Sequence, residues 1–423
     1  MAEGPVVTFT NNAWRKVATG VVKGVELSVP EVKMLDNIAD FDSPYSFREN
    51  RMVLDLNEDG GVATIGEGDY EARESSIDLE EGFLDLSHFN ARFNISNLVK
   101  YVQKGNANQL ENDLTFRATK KVDAMAAHVG DYFYGSKTAV LALCDLNVTA
   151  QTTLTLTLYA GYGNTAITDP KFLASKFKPQ VNGKGGDAVA LVNGSSLVAN
   201  SFGFVTARNL TAGTLTISII SGSVTVNATG LKVVKANSKG ATTIAHTDFN
   251  RGLAGIQDII FGSSYHSLTH ANWAPVFVNS STGRFTFADL QRADREIGLN
   301  ASMDARADVV LIDPNVWSDA IAYERAAVRY SSADNLSMDG ALKTPGRRVF
   351  ESKRVPPGWA IPFNKRGLKK WEFTTQHEGV PTWAQGKEYI DLSGMVFRVE
   401  RVLGLVVVNR LMFAAFTNRQ RAA

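Results

Sequence analysis

The clearest periodicity in the chain lies at 109–134. Leu110, Leu114, Ala118, Val122, Met125, Val129 and Phe133 recur every three or four residues, so they form one continuous apolar stripe. The spacing predicts a single helix, roughly 38 Å long, with Gly135 as its C-cap. A one-sided stripe of that length suits a helix laid across a sheet. Upstream, Phe89, Ala91, Phe93 and Ile95 alternate with Asn90, Arg92 and Asn94, the period of a half-buried strand. MVLDL (52–56) and VATI (62–65) flank Asn57-Glu-Asp-Gly-Gly61 and read as a hairpin within a β-excursion spanning 45–95. Residues 1–44 read as an arm. Ser28-Val-Pro30-Glu31 opens one short helix there, whose face of Val32, Leu35 and Ile38 is too small for a core of its own.

Between 146 and 240 the pattern changes. Thr, Ser, Gly, Asn and Val dominate, and the carboxylates are Asp169 and Asp187 alone. TTLTLTLYA (152–160), FGFVTARNL (202–210), TLTISII (214–220) and SVTVNATGLKVV (223–234) are strand-like, with Gly- and Asn-rich turns between them. The stretch reads as a β-rich domain inserted into the main fold; such tracts also occur as surface loops. From 246 onward strands and helices mix. Thr286-Phe-Ala-Asp289 opens a helix carrying Leu290, Ala293 and Ile297, closed by Gly298. DVVLI (308–312) is a buried strand, and Asp313-Pro314 caps the next helix. MVFRVERV (395–402), GLVVVN (404–409) and LMFAAF (411–416) read as consecutive strands of a final sheet. The fold class is α+β.

Composition adds a charge asymmetry. The 423 residues are 44% hydrophobic and 21% charged, ordinary for a globular chain, and the net charge of +1 argues against a protein that coats DNA along its whole length. Residues 51–90, however, hold eleven acids against Arg51 and Arg73, a net of −9. Residues 341–423 hold fifteen Lys and Arg against six acids, a net of +9. Opposite blocks on one chain predict that one part meets another, or meets a copy of itself. The single cysteine, Cys144, lies in the apolar run AVLALC and predicts a buried, inert thiol in a reducing compartment. Neither a signal-peptide pattern nor an apolar run of membrane-spanning length is present in the sequence.

Motifs that carry chemistry are weak. Gly130-DYFY-Gly135-Ser136-Lys137-Thr138 nearly spells a phosphate loop, but its lysine is one place late and it follows a helix instead of opening one. Gly161-Tyr-Gly163-Asn-Thr-Ala166 mimics a dinucleotide fingerprint without the helix that should follow, and reads as a turn. His266 and His270 have metal-ligand spacing but no third ligand, and read as polar loop histidines. No catalytic constellation, metal site or cofactor site emerges, and the chain is not expected to be an enzyme.

The order of parts resembles a tailed-phage major capsid protein of the Hong Kong 97 fold. FNRGLAGIQDIIFGSSYHSLTHANWAP (249–275), ALKTPGRRVFESKRVPPGWAIPFNKRGLKKWEF (341–373) and LGLVVVNRLMFAAFTN (403–418) look like corresponding stretches of that family. The resemblance covers most of the chain except about 146–240. It implies an N-terminal arm (1–44), an E-loop (45–95), a peripheral domain (96–145) with spine helix 109–134, an inserted β-rich domain (146–240), an axial domain (241–355) and a return to the peripheral domain (356–423). It implies a structural protein that self-assembles as pentamers and hexamers into an icosahedral shell around double-stranded DNA, touched non-specifically. The implied location is the virion capsid, assembled in the host bacterial cytoplasm, with no membrane. Its other implied partners are a separate scaffold, a portal and a decoration protein.

In that family the E-loop lies over a neighbouring subunit. The implied inter-subunit contact sets Glu71, Glu74, Glu80 and Glu81 against Arg347, Arg348, Lys353 and Arg354, with Lys365, Arg366, Lys369 and Lys370 beside them. Two alternatives remain. One is an encapsulin-like compartment of the same fold; the other is a β-rich surface or adhesin-type binding protein, against which the missing signal pattern speaks. The family's founding member cross-links an E-loop lysine to a neighbour's asparagine, and residues 45–95 here contain no lysine. Boiled, denatured particles should therefore run as a single-chain band in gel electrophoresis; a ladder of covalent oligomers would refute this.

Overall fold

The structure is a computed structural model and describes residues 51–55, 79–83, 85–96, 107–163, 167–183, 185–238, 244–268, 277–301, 305–327, 347–373, 382–389 and 392–422. The 1–44 arm, VATI (62–65) and most of the acidic stretch lie outside them. Strand β1 (Arg51–Asp55) pairs antiparallel with β2 (Leu79–Phe83), Arg51 opposite Phe83. Thus part of the acidic stretch expected to project from the body is a strand. It is anchored at its base, where Phe83 N donates to His266 O at 2.9 Å. Gly82 permits that approach, since a Cβ there would lie 3.3 Å from His266 Cβ and Leu268 Cδ1.

β3 (Ser87–Ser96) runs antiparallel to β18 (Leu392–Val407) from Ser87↔Leu403 to Ser96↔Gly394. β16 (Leu368–Phe373) and β17 (Thr382–Tyr389) also pair with β18, so that strand is the spine of a four-stranded sheet. Helix α1 (Ala107–Phe133) packs on β3 through Phe89, whose ring lies 6.3 Å from that of Tyr132. Of the predicted stripe, Met125, Val129 and Phe133 are buried. Gly135 does end the helix, donating to Tyr132 O at 3.1 Å. Its backbone is not left-handed, however: glycine is needed because a Cβ would sit 2.9 Å from Asp131 O.

The Thr-rich stretch folds on itself. β4 (Ala142–Gln151), β5 (Thr153–Ala160), β6 (Ala188–Asn193), β7 (Ser196–Leu197), β8 (Gly203–Asn209), β9 (Thr214–Ile219), β10 (Val224–Ser238) and β11 (Ile244–Thr247) share one eight-stranded sheet. Lys232 and Val233 of β10 have partners in both β4 and β6. The ladder β10–β4–β5–β9–β8–β6 therefore closes into a barrel, which removes its edges. β5 shows why: Leu154, Leu156, Leu158 and Ala160 are buried, and Thr153, Thr155, Thr157 and Tyr159 are exposed. Helix α2 (Pro170–Ser175), capped by Asp169, adds Phe172 and Leu173 to the same core. Cys144 lies in that core, where burial first and Asp145 second push its thiol up to about 12. The barrel begins at Ala142, ahead of the Thr-rich composition, because β4 is an apolar run that only its pairing assigns.

The remaining α/β body has its own core. β12 (Phe277–Asn279), β13 (Val309–Ile312), β14 (Arg348–Glu351), β15 (Ala360–Phe363) and β19 (Ala414–Phe416) form a five-stranded sheet in the order β12-β19-β15-β13-β14. α4 (Phe287–Asn300) contributes Leu290, Ala293 and Ile297 to its core, and α5 (Pro314–Ala327) contributes Val316, Trp317 and Ala320. The capping box of Thr286 and Asp289 is present, but α4 runs past Gly298 to Asn300. One expectation is overturned. MVFRVERV and the first four residues of GLVVVN belong to the single strand β18, and LMFAAF is not its neighbour in a final sheet. A 3-10 turn at Arg410–Met412 redirects the chain, and Ala414–Phe416 joins the five-stranded sheet. That sheet therefore draws β15 and β19 from beyond residue 355, so the expected axial border there is not a sheet border. Arg410, 1% exposed, holds the turn in place by donating to Ile259 O, Ile260 O and Gly262 O at the C-terminal end of α3 (Ile256–Phe261).

His266 is buried, contrary to the polar-loop reading, while His270 lies outside the described residues. Its Nε2 accepts from Val407 N at 3.2 Å, and burial pulls its pKa down to about 4. The folded state thus keeps it neutral while the unfolded chain protonates near its ordinary value of 6.5. Stability is full above that value and falls as pH drops toward 4, by about 3 kcal/mol at most. His266→Gln keeps an acceptor but cannot titrate. Between pH 7 and 4.5 the thermal midpoint of that variant should fall less than the wild type's; parallel losses would remove His266 as a cause.

Candidate functional site

The densest polar cluster joins three parts of the fold. Asp131, near the end of α1, is 7% exposed. Lys176 Nζ lies 3.5 Å from its Oδ1, Arg354 Nε 3.3 Å from the same oxygen, and Lys235 Nζ 3.6 Å from Oδ2. Lys176 follows α2, Lys235 sits on β10, and Arg354 follows β14. Burial opposes ionisation of Asp131, but the charges of Lys176, Lys235 and Arg354 prevail and hold its carboxyl below the usual range. Burial pulls the Lys176 ammonium down to about 8 against the attraction of Asp131. The rings of Tyr162 and Phe172 flank it, their centroids at 4.3 and 4.2 Å. On the same helix, His128 Nε2 and Tyr132 Oη lie 3.0 and 2.5 Å from Asp248 Oδ2, tying α1 to the segment after β11. This cluster was not anticipated. The available signal was Lys176, a lysine in the run FLASKF whose neighbours Leu173, Ala174 and Phe177 are all buried.

Of the residues expected to make an inter-subunit contact, the described basic ones are divided between ion pairs within the chain and the two ends of the five-stranded sheet. Glu71 and Glu74 lie outside the described residues, and Glu80 and Glu81 fall on β2 opposite Leu54 and Val53. Arg354 pairs with Asp131, and Arg347 pairs with Asp294 within its own chain. Lys370 is 8% exposed. Arg348, Lys353, Lys365 and Arg366 are exposed. Lys353 follows the C-terminal end of β14, beside Ile312. Arg348, Lys365 and Arg366 gather at the opposite end of the sheet, where Val309 faces Arg348 on one side and Phe363 on the other. Asp308 organises that end. Its backbone carbonyl accepts from Arg348 N at 2.8 Å, and its Oδ1 accepts from Lys365 N at 2.7 Å. Arg306, exposed two residues earlier, holds Asn364 Nδ2 through its carbonyl at 2.7 Å.

The nucleotide-like motifs have structural roles. In the Gly130–Thr138 stretch, Ser136 Oγ and Lys137 N donate to the Asp258 carboxylate at 2.7 and 2.6 Å, so the loop holds the chain's own acid at the start of α3. Gly161 (φ +119°) is a crossing point where a Cβ would lie 2.8 Å from Ala142 Cα. A cleft of about 240 Å³ lies between barrel and α/β body, lined by Asp169, Phe261, Trp359 and Asn418 among others. Among the described residues, no group of three or more His, Cys, Asp or Glu is placed to hold a metal ion, and no helix is long and apolar enough to cross a membrane.

No family model matches the sequence, and no curated protein matches it. The chain is similar to solved structures of phage capsids, of a GTA-particle capsid and of an encapsulin. A chain of the cyanophage A-1(L) capsid asymmetric unit is 9% identical, with a TM-score of 0.49 over 92% of this chain and 93% of that one. A chain of the capsid of an empty GTA particle is 10% identical, with a TM-score of 0.42 over 93% and 90%. The holo-SrpI encapsulin complex from Synechococcus elongatus PCC 7942 is 13% identical, with a TM-score of 0.28 over 39% and 60%.

The Asp131 cluster makes an asymmetric prediction. Asp131→Asn leaves three cations facing one another and should cost about 3–5 kcal/mol. Lys176→Met leaves Asp131 with Lys235 and Arg354, fills the space between two rings, and should cost about 1 kcal/mol or less. Denaturant unfolding of the unassembled chain measures both; equal losses would contradict this account.

Proposed function

We propose that this chain is the major shell protein of a tailed-phage head, assembling as pentamers and hexamers into an icosahedral capsid around double-stranded DNA. The observation that carries the reading is the interleaving of parts about β18. A strand from early in the chain (β3) and two strands that lie in sequence between β15 and β19 of the α/β body (β16, β17) all pair with it. The 27-residue helix α1 lies on β3. The β1–β2 pair extends from the same region, and a separate α/β body with its own core hangs from it. This order is what the Hong Kong 97 resemblance implies for E-loop, spine helix, peripheral domain and axial domain. The closed barrel takes the place of the insertion. On this reading 1–44 is the arm, 45–95 the E-loop, and the axial domain extends from 241 to include β19. Scaffold, portal and decoration proteins would be its partners during head assembly in the host cytoplasm.

A two-stranded pair such as β1–β2 is marginal alone in water. Contact with a neighbouring subunit would give it a surface to rest on. Electron microscopy of the purified full-length chain should show closed polyhedral shells. A stable monomer at all concentrations would overturn the proposal, and native shells filled with a protein cargo and no DNA would favour a compartment instead.

A further inference from the structure

The Asp131 cluster is not the barrel's only charged tie to the α/β body. Another is a single arginine. The segment that follows β19 is laid along the α/β body as a strap. Arg419 N donates to Gly358 O at 2.9 Å, Gln420 N to Gly283 O at 2.8 Å, and Ala422 N to Asn315 O at 3.0 Å. From that strap Arg421 bridges the two bodies. Its Nε lies 2.9 Å from Asp313 Oδ2 on the α/β body, and its Nη1 lies 2.7 Å from Asp169 Oδ2 on the barrel. Each carboxylate is aimed by the helix that its other oxygen caps. Asp169 Oδ1 accepts from Phe172 N of α2 at 3.0 Å, and Asp313 Oδ1 accepts from Asn315 N of α5 at 3.1 Å. The bridge stands at the rim of the 240 Å³ cleft, which Ile167, Thr168 and Asp169 line from the barrel and Trp359, Thr417 and Asn418 from the α/β body.

We infer that Arg421 is a latch: the barrel is hinged on the α/β body at the Asp131 cluster, and release of Arg421 from Asp169 opens the cleft between them. The unequal burial of the two ties carries the inference. The side chains of Asp131 and Lys176 are 10% and 3% exposed, and parting them strands charge away from water. Those of Arg421 and Asp169 are 37% and 23% exposed, so water solvates both as they separate and salt screens their attraction. After release Arg421 still has Asp313, and Asp169 still caps α2, so opening leaves no buried charge unpaired. What opening uncovers is apolar, the side chains of Ile167 and Trp359, both buried in the closed form. The ion cluster stays intact throughout and acts as the fixed point, so the barrel does not swing about its first and last strands. The latch is a property of the single chain and does not depend on the shell reading.

The reporter is Ile167→Cys in the unassembled full-length chain, read by its rate of reaction with a thiol reagent. The native Cys144 is buried, its thiol pushed up to about 12, and does not compete. Adding Arg421→Gln should raise the rate at least tenfold at low salt. Asp169→Asn keeps an oxygen to cap α2 and should raise it as much. The two together should raise it no further, because they remove one contact. In the reporter form alone, about 1 M salt, which shortens the screening length to about 3 Å, should bring the same rise. Salt should change the Arg421→Gln form less than twofold. Backbone amide exchange, measured by mass spectrometry without the reporter, gives an independent reading should Ile167→Cys fail to fold. In Arg421→Gln it should quicken at least tenfold at 167–175 and stay within twofold of wild type around Asp131 and Lys235. Unchanged labelling or unchanged exchange at 167–175 would overturn the latch. So would rises that multiply in the double form, which would assign them to separate contacts. Faster exchange around Asp131 and Lys235 would mean that the barrel loosens as a whole, and would overturn the hinge.

Discussion

The fold turns on one buried carboxylate. Asp131 meets Lys176, Lys235 and Arg354, which reach it from three separate stretches of the chain. Each cation would be costly to bury alone, and together they would repel. The anion makes their convergence possible, and the convergence fixes where the barrel sits relative to α1 and to the α/β body. Tyr162 reinforces it by donating to Asp131 O at 2.7 Å. Gly130 is part of the same constraint, because a Cβ there would lie 3.0 Å from Arg354 Cδ. A barrel held by its first and last strands alone could pivot about them. One held also by a buried ion cluster and a shared hydrophobic core cannot do so without exposing charge and apolar surface together.

The central strand imposes a second constraint. Ser87 and Leu403 are paired, so the sheet forms only after the chain between them has been gathered in. Loop-closure entropy grows slowly with length. Here the intervening chain is also shortened, because the barrel and the β13–β14–β15 part of the α/β body close within it, while β19 joins that sheet from beyond β18. β10 returns beside β4, and β13 pairs with β14 and β15. The interleaved topology is then assembled from compact units.

What was legible in the sequence depended on period and composition. Helix α1, the alternation of Thr153–Ala160 and the capping box at Thr286 were readable because each pattern is local. LMFAAF was misassigned for the converse reason. A short run that is buried on both faces has no period, and its sheet is set by partners at 277–279 and 360–363. His266 looked polar because its neighbours are Ser and His. Its burial comes from Val407 and the base of β2, both remote in sequence. The Asp131 cluster was invisible because opposite charges at 131, 176, 235 and 354 carry no sign of proximity.

The same limit applies to the basic block. Its net of +9 counted every cation at 341–423 alike. Several of them are structural. Arg354 and Arg347 neutralise Asp131 and Asp294, Arg410 caps α3, Arg419 pairs with Asp289 at 3.0 Å, and Arg421 bridges Asp169 and Asp313 at 2.7 and 2.9 Å. Burial and pairing within the chain therefore engage about half the arginines of the block. Among the described residues, exposed Arg348, Lys365 and Arg366 of the block lie near Asp308, where Arg306 joins them from outside it. Net charge over a sequence window measures supply; only the fold decides which charges face a partner.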